Sequence, residues 1–285
     1  MFDEIIEEVV EPVQEKMQEK KTDKKGSLVV VGTGIRTVGQ LTGDTIARLK
    51  TADKVYYVIA DIIAERLIKE LSPSAESLGR FYKIGRSRRE AYEAMVGCIL
   101  DSVRAGNRTC VAAYGHPGVF AFPTHESIRV ARLEGYEATM FPAVSAEDCL
   151  FADLGVDPAI YGCHTHEATR FVLQRKAVDP TCALILWQVG NFGDTTYQPE
   201  GNRSRWIAYL IEQLLRSYPP THKVTLYEAA LFVGCAPRIE TVAIADLDKV
   251  ELRPATTLYV PPSAVSSFDE EICEKLGFDF RAQAR

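Results

Sequence analysis

Three side chains in the segment RFYKIGRSRREAYEAMV, Tyr82, Arg88 and Tyr92, are of types that can move a proton. Arg88 and Tyr92 are four residues apart in a stretch that reads as helix, so they share a face, and Tyr82 lies in the loop before it. A free phenol titrates near pH 10, and an adjacent guanidinium favours the phenolate and lowers that value. Such a pair serves as a proton acceptor or, in the commoner case, as a surface cation–aromatic contact. A second candidate, His164 and His166, forms H-x-H on a possible strand, which places both imidazoles on one face. A metal site needs more ligands, and beyond Cys163 and Glu167 no neighbouring set has suitable spacing, so no metal is assigned.

Three glycine- or serine-bearing turns follow short apolar runs. In VGTGIRTVGQLT, Gly32 and Gly34 allow a tight turn and close backbone approach to a ligand before a helix. A dinucleotide fingerprint requires glycine at position 37, where a threonine stands, and no P-loop Lys-Ser/Thr follows. In CVAAYGHPGVF the run ends in Tyr114, Gly115, His116, Pro117 and Gly118, a rigid platform poor in side chains. In FPAVSAED, Ser145 and Ala146 stand where a helix should begin, with Asp148 completing an S-x-x-D capping pattern compatible with ligand contact. Ligands of open α/β sheets collect at the carboxyl ends of strands, where these turns fall.

The elements that must position these turns alternate along the chain from Ser27: SLVVVG, a helix over residues 42–51, KVYYVI, a helix over 62–71, and a helix over 88–106. TCVAAYGHPG, a helix over 126–135 and ATMFPAVSA continue the series, and repeated exchange of strand and helix predicts a parallel α/β sheet. After LFADLGVDPAI the texture changes to FVLQRK, CALILWQVG, a helix over 203–217, KVTLYEAA, RIETVAIADL and TTLYVPPS, which predicts a second α/β domain. The expected divisions are 1–26 as a helical extension and linker, 27–156 and 157–262 as the two domains, and 263–285 as a tail with one short helical pattern. Within the extension, Phe2, Ile5, Ile6, Val9, Val13 and Met17 recur at helical spacing, interrupted by Pro12. Trp187 and Trp206 read as core or interface aromatics.

The 285 residues, 46% apolar and 25% charged, can bury one large core or two modest ones. With 33 basic against 39 acidic residues and no basic cluster, a nucleic-acid partner is disfavoured. Seven scattered cysteines without C-x-x-C suggest neither a disulfide framework nor a zinc knuckle, and point to the reducing cytoplasm. No apolar run approaches the roughly 20 residues of a membrane span, and the acidic N-terminus is unlike a secretory signal.

Together VGTG, YGHPGVF, PAVSAED, LILWQVG and LYEAA resemble the tetrapyrrole-methylase fold of class III S-adenosylmethionine-dependent methyltransferases over about residues 27–262. That resemblance implies two α/β domains with the cofactor cleft between them. The chain departs from the family pattern at Ile35, Arg36, Thr37 and Val38, where Pro-Gly-Asp-Pro is usual, at His116 of the second turn, and at Ala143 of the third. YGHPGVF, SAEDCLFADLGVDP, FY-x5-RR-x2-Y, WQVG and YVPP are similar to motifs of the borosin peptide backbone α-N-methyltransferases. In borosins with a fused substrate the methylated core lies at the C-terminus; here GFDFRAQAR follows soon after the final strand, so a split form acting on a separate precursor is expected.

Methylating a main-chain amide is difficult because the nitrogen lone pair is delocalised into the carbonyl. The site needs a base at the N–H, a donor to the developing imidate oxygen, and a methyl-sulfonium held in line. The resemblance implies Tyr92 as the base, Tyr82 holding the peptide, Arg88 polarising the tyrosines or the imidate, and Tyr114 contacting the amide or the methyl donor, with the division between Tyr82 and Tyr92 left open. For S-adenosylmethionine and its product S-adenosylhomocysteine it implies Gly34, Tyr114, His116, Val119, Phe120, Ser145, Ala146, Gln188, Tyr227, Ala229 and Thr257. Each has a plainer alternative: Val119 and Phe120 as core, Gln188 satisfying buried backbone, Tyr227 as an interior strand aromatic. The expected assembly is a homodimer, 2:2 with the precursor. The competing expectations are a porphyrin or corrin C-methyltransferase and a non-catalytic scaffold that retains the donor pocket.

Overall fold

The computed structural model describes residues 26–59, 61–200 and 205–278; the expected N-terminal helix and the end of the tail lie outside the described residues. Among the described residues ten strands form two five-stranded sheets. In the first, β1 (Ser27–Gly32), β2 (Lys54–Val58), β3 (Glu76–Ser77), β4 (Arg108–Ala113) and β5 (Glu137–Met140) are all parallel, in the order β3-β2-β4-β1-β5. The helices between and after them are α1 (Thr37–Gln40), α2 (Gly43–Thr51), α3 (Ile62–Leu71), α4 (Arg88–Arg104), α5 (Phe122–Leu133) and α6 (Ala146–Leu154).

Period-two alternation explains why helices cover both faces. Leu28, Val30 and Val111 turn to one side and bury against Met95, Ile99 and Val103 of α4 and Ile128 of α5. Val31, Cys110 and Ala112 turn to the other, against Leu49 of α2 and Ile68 of α3. The helix over residues 62–71 forms as the sequence predicts, started by Asp61, whose carboxylate accepts from the Ala64 N–H at 2.8 Å. By contrast α5 begins at Phe122 rather than 126, because Pro123 occupies its first turn, where a missing N–H costs nothing.

The second sheet contains β6 (Cys163–Glu167), β7 (Ala183–Trp187), β8 (Lys223–Glu228), β9 (Arg238–Ala243) and β10 (Thr257–Val260) in the order β6-β7-β10-β8-β9. Only β6 and β7 are parallel; the other pairings are antiparallel, so this half is a mixed sheet. One face packs Leu184, Leu186, Leu226 and Leu258 on α8 (Ala168–Leu173) and α9 (Ile207–Leu214), which follow α7 (Pro158–Tyr161). The other face, with Ile185, Tyr227 and Tyr259, buries Leu150 of α6, so the helix after the third turn is a floor shared by both halves. A short α10 (Glu270–Leu276) forms in the tail. Trp187 is buried, whereas Trp206 sits near the surface beneath the Arg205 guanidinium.

Candidate active site

The three turns meet at Gly32. A Cβ there would lie 2.2 Å from the Gly115 carbonyl oxygen, 2.5 Å from Ala143 Cβ and 2.7 Å from Pro117 Cδ, so only glycine lets the strand ends converge. Beside it Gly34 adopts φ +70°, accepts from the Gly115 N–H at 3.0 Å and donates back at 3.3 Å, stitching the first turn to the second. Gly34 thus backs the second turn and is not on the wall of the cavity described below.

In the second turn the Gly118 N–H donates to His116 Nδ1 at 3.0 Å, which fixes the ring nitrogen that carries no proton. The third turn has a complete capping box: Ser145 Oγ accepts from the Glu147 and Asp148 N–H groups, both at 3.2 Å, and Asp148 accepts from the Ser145 N–H at 2.6 Å. Ser145→Ala is therefore expected to cost about 1 kcal/mol of stability, read from denaturant unfolding.

These turns surround a cavity of about 380 Å³ whose walls come from both sheets. The first half supplies Tyr82, Tyr92 and Tyr114, then His116, Val119 and Phe120, then Ser145 and Ala146. The second half supplies Gln188, Tyr227, Ala229 and Thr257. Phe120 and Gln188 hold left-handed backbone, φ +52° and +59°, a cost that non-glycine residues bear where the surroundings over-determine them. The Phe120 and Trp187 rings approach to 5.5 Å, one from each half. Tyr227 is fully buried, and its hydroxyl donates to Asp153 at 2.7 Å, so its ring forms wall while its oxygen belongs to the α6 contact.

At one end of the cavity Tyr82 and Tyr92 meet edge to face at 6.1 Å, and Tyr92 lies 6.2 Å from Phe122. Arg88 is placed differently from expectation: its guanidinium donates to the Asp194 carbonyl and is not on the cavity wall. Its charge does lower Tyr82, but burial, followed by Tyr92 and Tyr197, outweighs it and holds the Tyr82 phenol well above its usual range. The expectation that guanidinium proximity makes a phenolate therefore fails for Tyr82. Burial likewise pushes Tyr114 up to about 12, with smaller contributions from Cys149 and Asp61.

A phenol raised in the folded state keeps its proton there, so its stabilisation is intact below pH 10.0 and for Tyr114 is lost as pH rises toward about 12. Tyrosinate absorbance is accordingly expected to rise for a subset of tyrosines only together with alkaline unfolding. A complete titration preceding the loss of circular dichroism contradicts this.

Two features of the site had no signal in the local sequence. Tyr197 stacks on Tyr82 at 4.6 Å, carried by a segment that pairs with residues 85–88. The pairing runs through Gly85 N–H to the Tyr197 carbonyl at 3.0 Å, Tyr197 N–H to Arg86 at 2.8 Å, and Arg88 N–H to Thr195 at 3.0 Å. Glu228, also on the cavity wall, accepts from Arg238 at 2.7 Å and from Thr256 Oγ1 at 2.6 Å, tying the end of β8 to the loop before β10. His164 and His166 do lie on β6, away from this cavity, and among the described residues no group of three metal-ligating side chains is assembled.

The family of tetrapyrrole (corrin/porphyrin) methylases matches residues 27–248. The chain is 39% identical over 259 residues to a methyltransferase/ribosomally synthesized type I borosin cyclic peptide precursor of Serendipita vermifera subsp. bescii, covering 89% of this chain and 63% of the relative. It is 35% identical over 255 residues to the methyltransferase/ribosomally synthesized cyclic peptide omphalotin A precursor of Omphalotus olearius, covering 88% and 61%. The chain thus spans less than two-thirds of the length of these relatives. Among solved structures, uroporphyrin-III-C-methyltransferase from Thermus thermophilus superposes with a TM-score of 0.60 at 17% identity, over 84% of this chain and 93% of that one. The cobalt precorrin-4 methyltransferase of cobalamin biosynthesis gives 0.57 at 16% identity, over 82% and 94%. With two sheets, three convergent turns and a cavity between the halves, and with the family pattern running through most of its length, the chain belongs to the tetrapyrrole methylases.

Proposed function

We propose that the protein is an S-adenosylmethionine-dependent methyltransferase that α-N-methylates backbone amides of a separate precursor peptide. The observation that carries this reading is the placement of Tyr82, Tyr92 and Tyr114 on the wall of the same cavity as the three turns. The names of the borosin relatives, in which methyltransferase and peptide precursor share one chain, support a peptide acceptor.

The residues present fit the methyl donor. A cavity of about 380 Å³ lies within the usual range of small-molecule sites, roughly 300–1,000 Å³. Its aromatic walls, Phe120 and Trp187 with the tyrosine cluster, suit a flat base and a sulfonium cation. His116, Val119, Ser145, Ala146, Gln188, Ala229 and Thr257 would hold it, with Tyr227 as buried wall and Gly34 acting through the second turn. When bound, the donor supplies an electrophilic methyl group.

Tyr92 acts as the base in its phenolate form, taking the proton from the amide nitrogen and becoming a neutral phenol. Tyr82, kept neutral by burial, donates its O–H to the amide oxygen, where negative charge collects as the N–H bond breaks. Tyr114, also protonated, orients the amide from the second turn. Arg88, anchored by the Asp194 carbonyl, fixes the start of α4 and acts on Tyr82 through its field. In this reading the working unit is a cytoplasmic homodimer with one precursor per protomer. All seven cysteines are free thiols, and among the described residues no helix is long and apolar enough to cross a membrane.

Incubating the full chain with donor and a candidate precursor is expected to add one-methyl mass increments that tandem mass spectrometry places on main-chain nitrogens. Methyl groups on side chains, or on the enzyme alone, overturn the mechanism or the separate acceptor respectively. Light scattering checks the dimer.

A further inference from the structure

The segment that carries Tyr197 follows β7 of the second half and crosses to the first. It is braced on its own side: the Gly193 N–H donates to Thr169 Oγ1 at 3.1 Å, and the Asp194 carboxylate accepts from the Thr196 N–H at 2.8 Å and from its hydroxyl at 2.7 Å. On the other side Thr196 pairs with Ser87, within the hydrogen bonds to residues 85–88 given above, and the Arg88 guanidinium donates to the Asp194 carbonyl. This ribbon ends where α4 begins, one turn before Tyr92.

Tyr82 is bracketed as a result. Tyr197 lies nearly parallel to its ring, with centroids 4.6 Å and planes 19° apart, while Tyr92 meets it at 6.1 Å and 81°. Its backbone is pinned too, the N–H donating to the Gly79 carbonyl at 3.1 Å. A tyrosine displaces its phenolic oxygen by swinging about Cα–Cβ, and a ring lying flat on a second, anchored ring has no room to swing toward it. The same stack shields one face of Tyr82 from water, and burial is the main cause that keeps its proton in place. Tyr197 is half-buried and is not on the cavity wall, so its effect on the reaction passes through Tyr82.

We propose that Tyr197 is a positioning residue for Tyr82: stacked on its ring from the second half of the molecule, it holds the Tyr82 O–H toward the acceptor amide oxygen. The proposal rests on the peptide-methylation reading above, and it makes the tyrosine end of the cavity a product of both halves.

The test uses the full chain, the methyl donor and the candidate precursor of the mass measurement above, with rates taken per folded molecule from circular dichroism. Tyr197→Leu, which keeps the position apolar and removes the ring, is expected to lower kcat about three- to tenfold while peptide KM and donor affinity by calorimetry stay within about twofold. Tyr197→Met, a second ring-free variant, should match it, and Tyr197→Phe, which keeps the stack, should restore kcat. In a Tyr82→Phe background Tyr197→Leu should cost nothing further, since no O–H is left to aim. NMR of chains with isotope-labelled tyrosine, assigned through Tyr82→Phe, should show Tyr82 starting to titrate at lower pH in Tyr197→Leu than in the unmodified chain. An unchanged kcat in both ring-free variants, an equal loss in Tyr197→Phe, or losses that add in the double variant overturn the proposal while leaving peptide methylation standing. If the unmodified chain binds donor and leaves the precursor unmethylated, both readings fall.

Discussion

Tyr92→Phe is expected to lower methyl transfer by about 10²–10⁴-fold, the contribution of a positioned general base, with donor binding by calorimetry intact. The change removes one oxygen and leaves the ring, so the contacts at 6.1 Å with Tyr82 and 6.2 Å with Phe122 persist and the cavity keeps its shape. Tyr82→Phe supplies the comparison. Its phenol lies above the ordinary range because burial dominates, so it serves as a donor, and its removal should cost about 10²–10³-fold, as for one oxyanion donor. The two variants differ in kind as well as size: one removes the proton acceptor, the other only the hydrogen bond to the charge that collects on the amide oxygen. Mass spectrometry of peptide products under single-turnover conditions gives both rates. Wild-type turnover in Tyr92→Phe removes the base from the mechanism, and loss of donor binding in that variant reassigns the residue to the donor pocket.

Gly32→Ala is expected to destabilise the protein by about 1–3 kcal/mol or more and to abolish donor binding, although only a single methyl group is added. The added carbon has nowhere to go. It would sit 2.2 Å from the Gly115 carbonyl and 2.5 Å from Ala143, and all three neighbours belong to turns that wall the cavity. Relief requires the turns to separate, which breaks the Gly34–Gly115 pair and shifts His116 and Ser145 relative to one another. For a chain of this size each kcal/mol lowers the melting temperature by roughly 2–4 °C. Calorimetry and donor titration measure the two effects separately. Gly97, on α4 with open space around its Cβ position, is the control: alanine there should be neutral or slightly stabilising.

The strands of the first half were legible because each apolar run alternates onto two buried faces and ends in a turn with its own chemistry. The Ser145 cap was legible for the same reason, since S-x-x-D is a local pattern with a local cause. The start of α5 was not: it lies at Phe122 rather than 126, with Pro123 in the first turn, where no intrahelical N–H is required. Arg88 shows a different limit. Its spacing to Tyr92 is local, but the carbonyl that claims its guanidinium is Asp194, over a hundred positions along the chain, and nothing near residue 88 announces it. Tyr197 and Glu228 were missed on the same account, being set by contacts between distant segments. Thr37 spoils a dinucleotide fingerprint and departs from the family turn in sequence, but its buried hydroxyl, without a partner among the described residues, is visible only in three dimensions.

The strand order of the second sheet carries a consequence for synthesis on the ribosome. β10, the last of the described strands in chain order, lies between β7 and β8, so those two emerge with their inner edges bare and wait for Thr257–Val260 to arrive. A stalled or prematurely terminated chain lacking these four residues presents two unpaired apolar edges, a species that chaperones must shield or proteases clear.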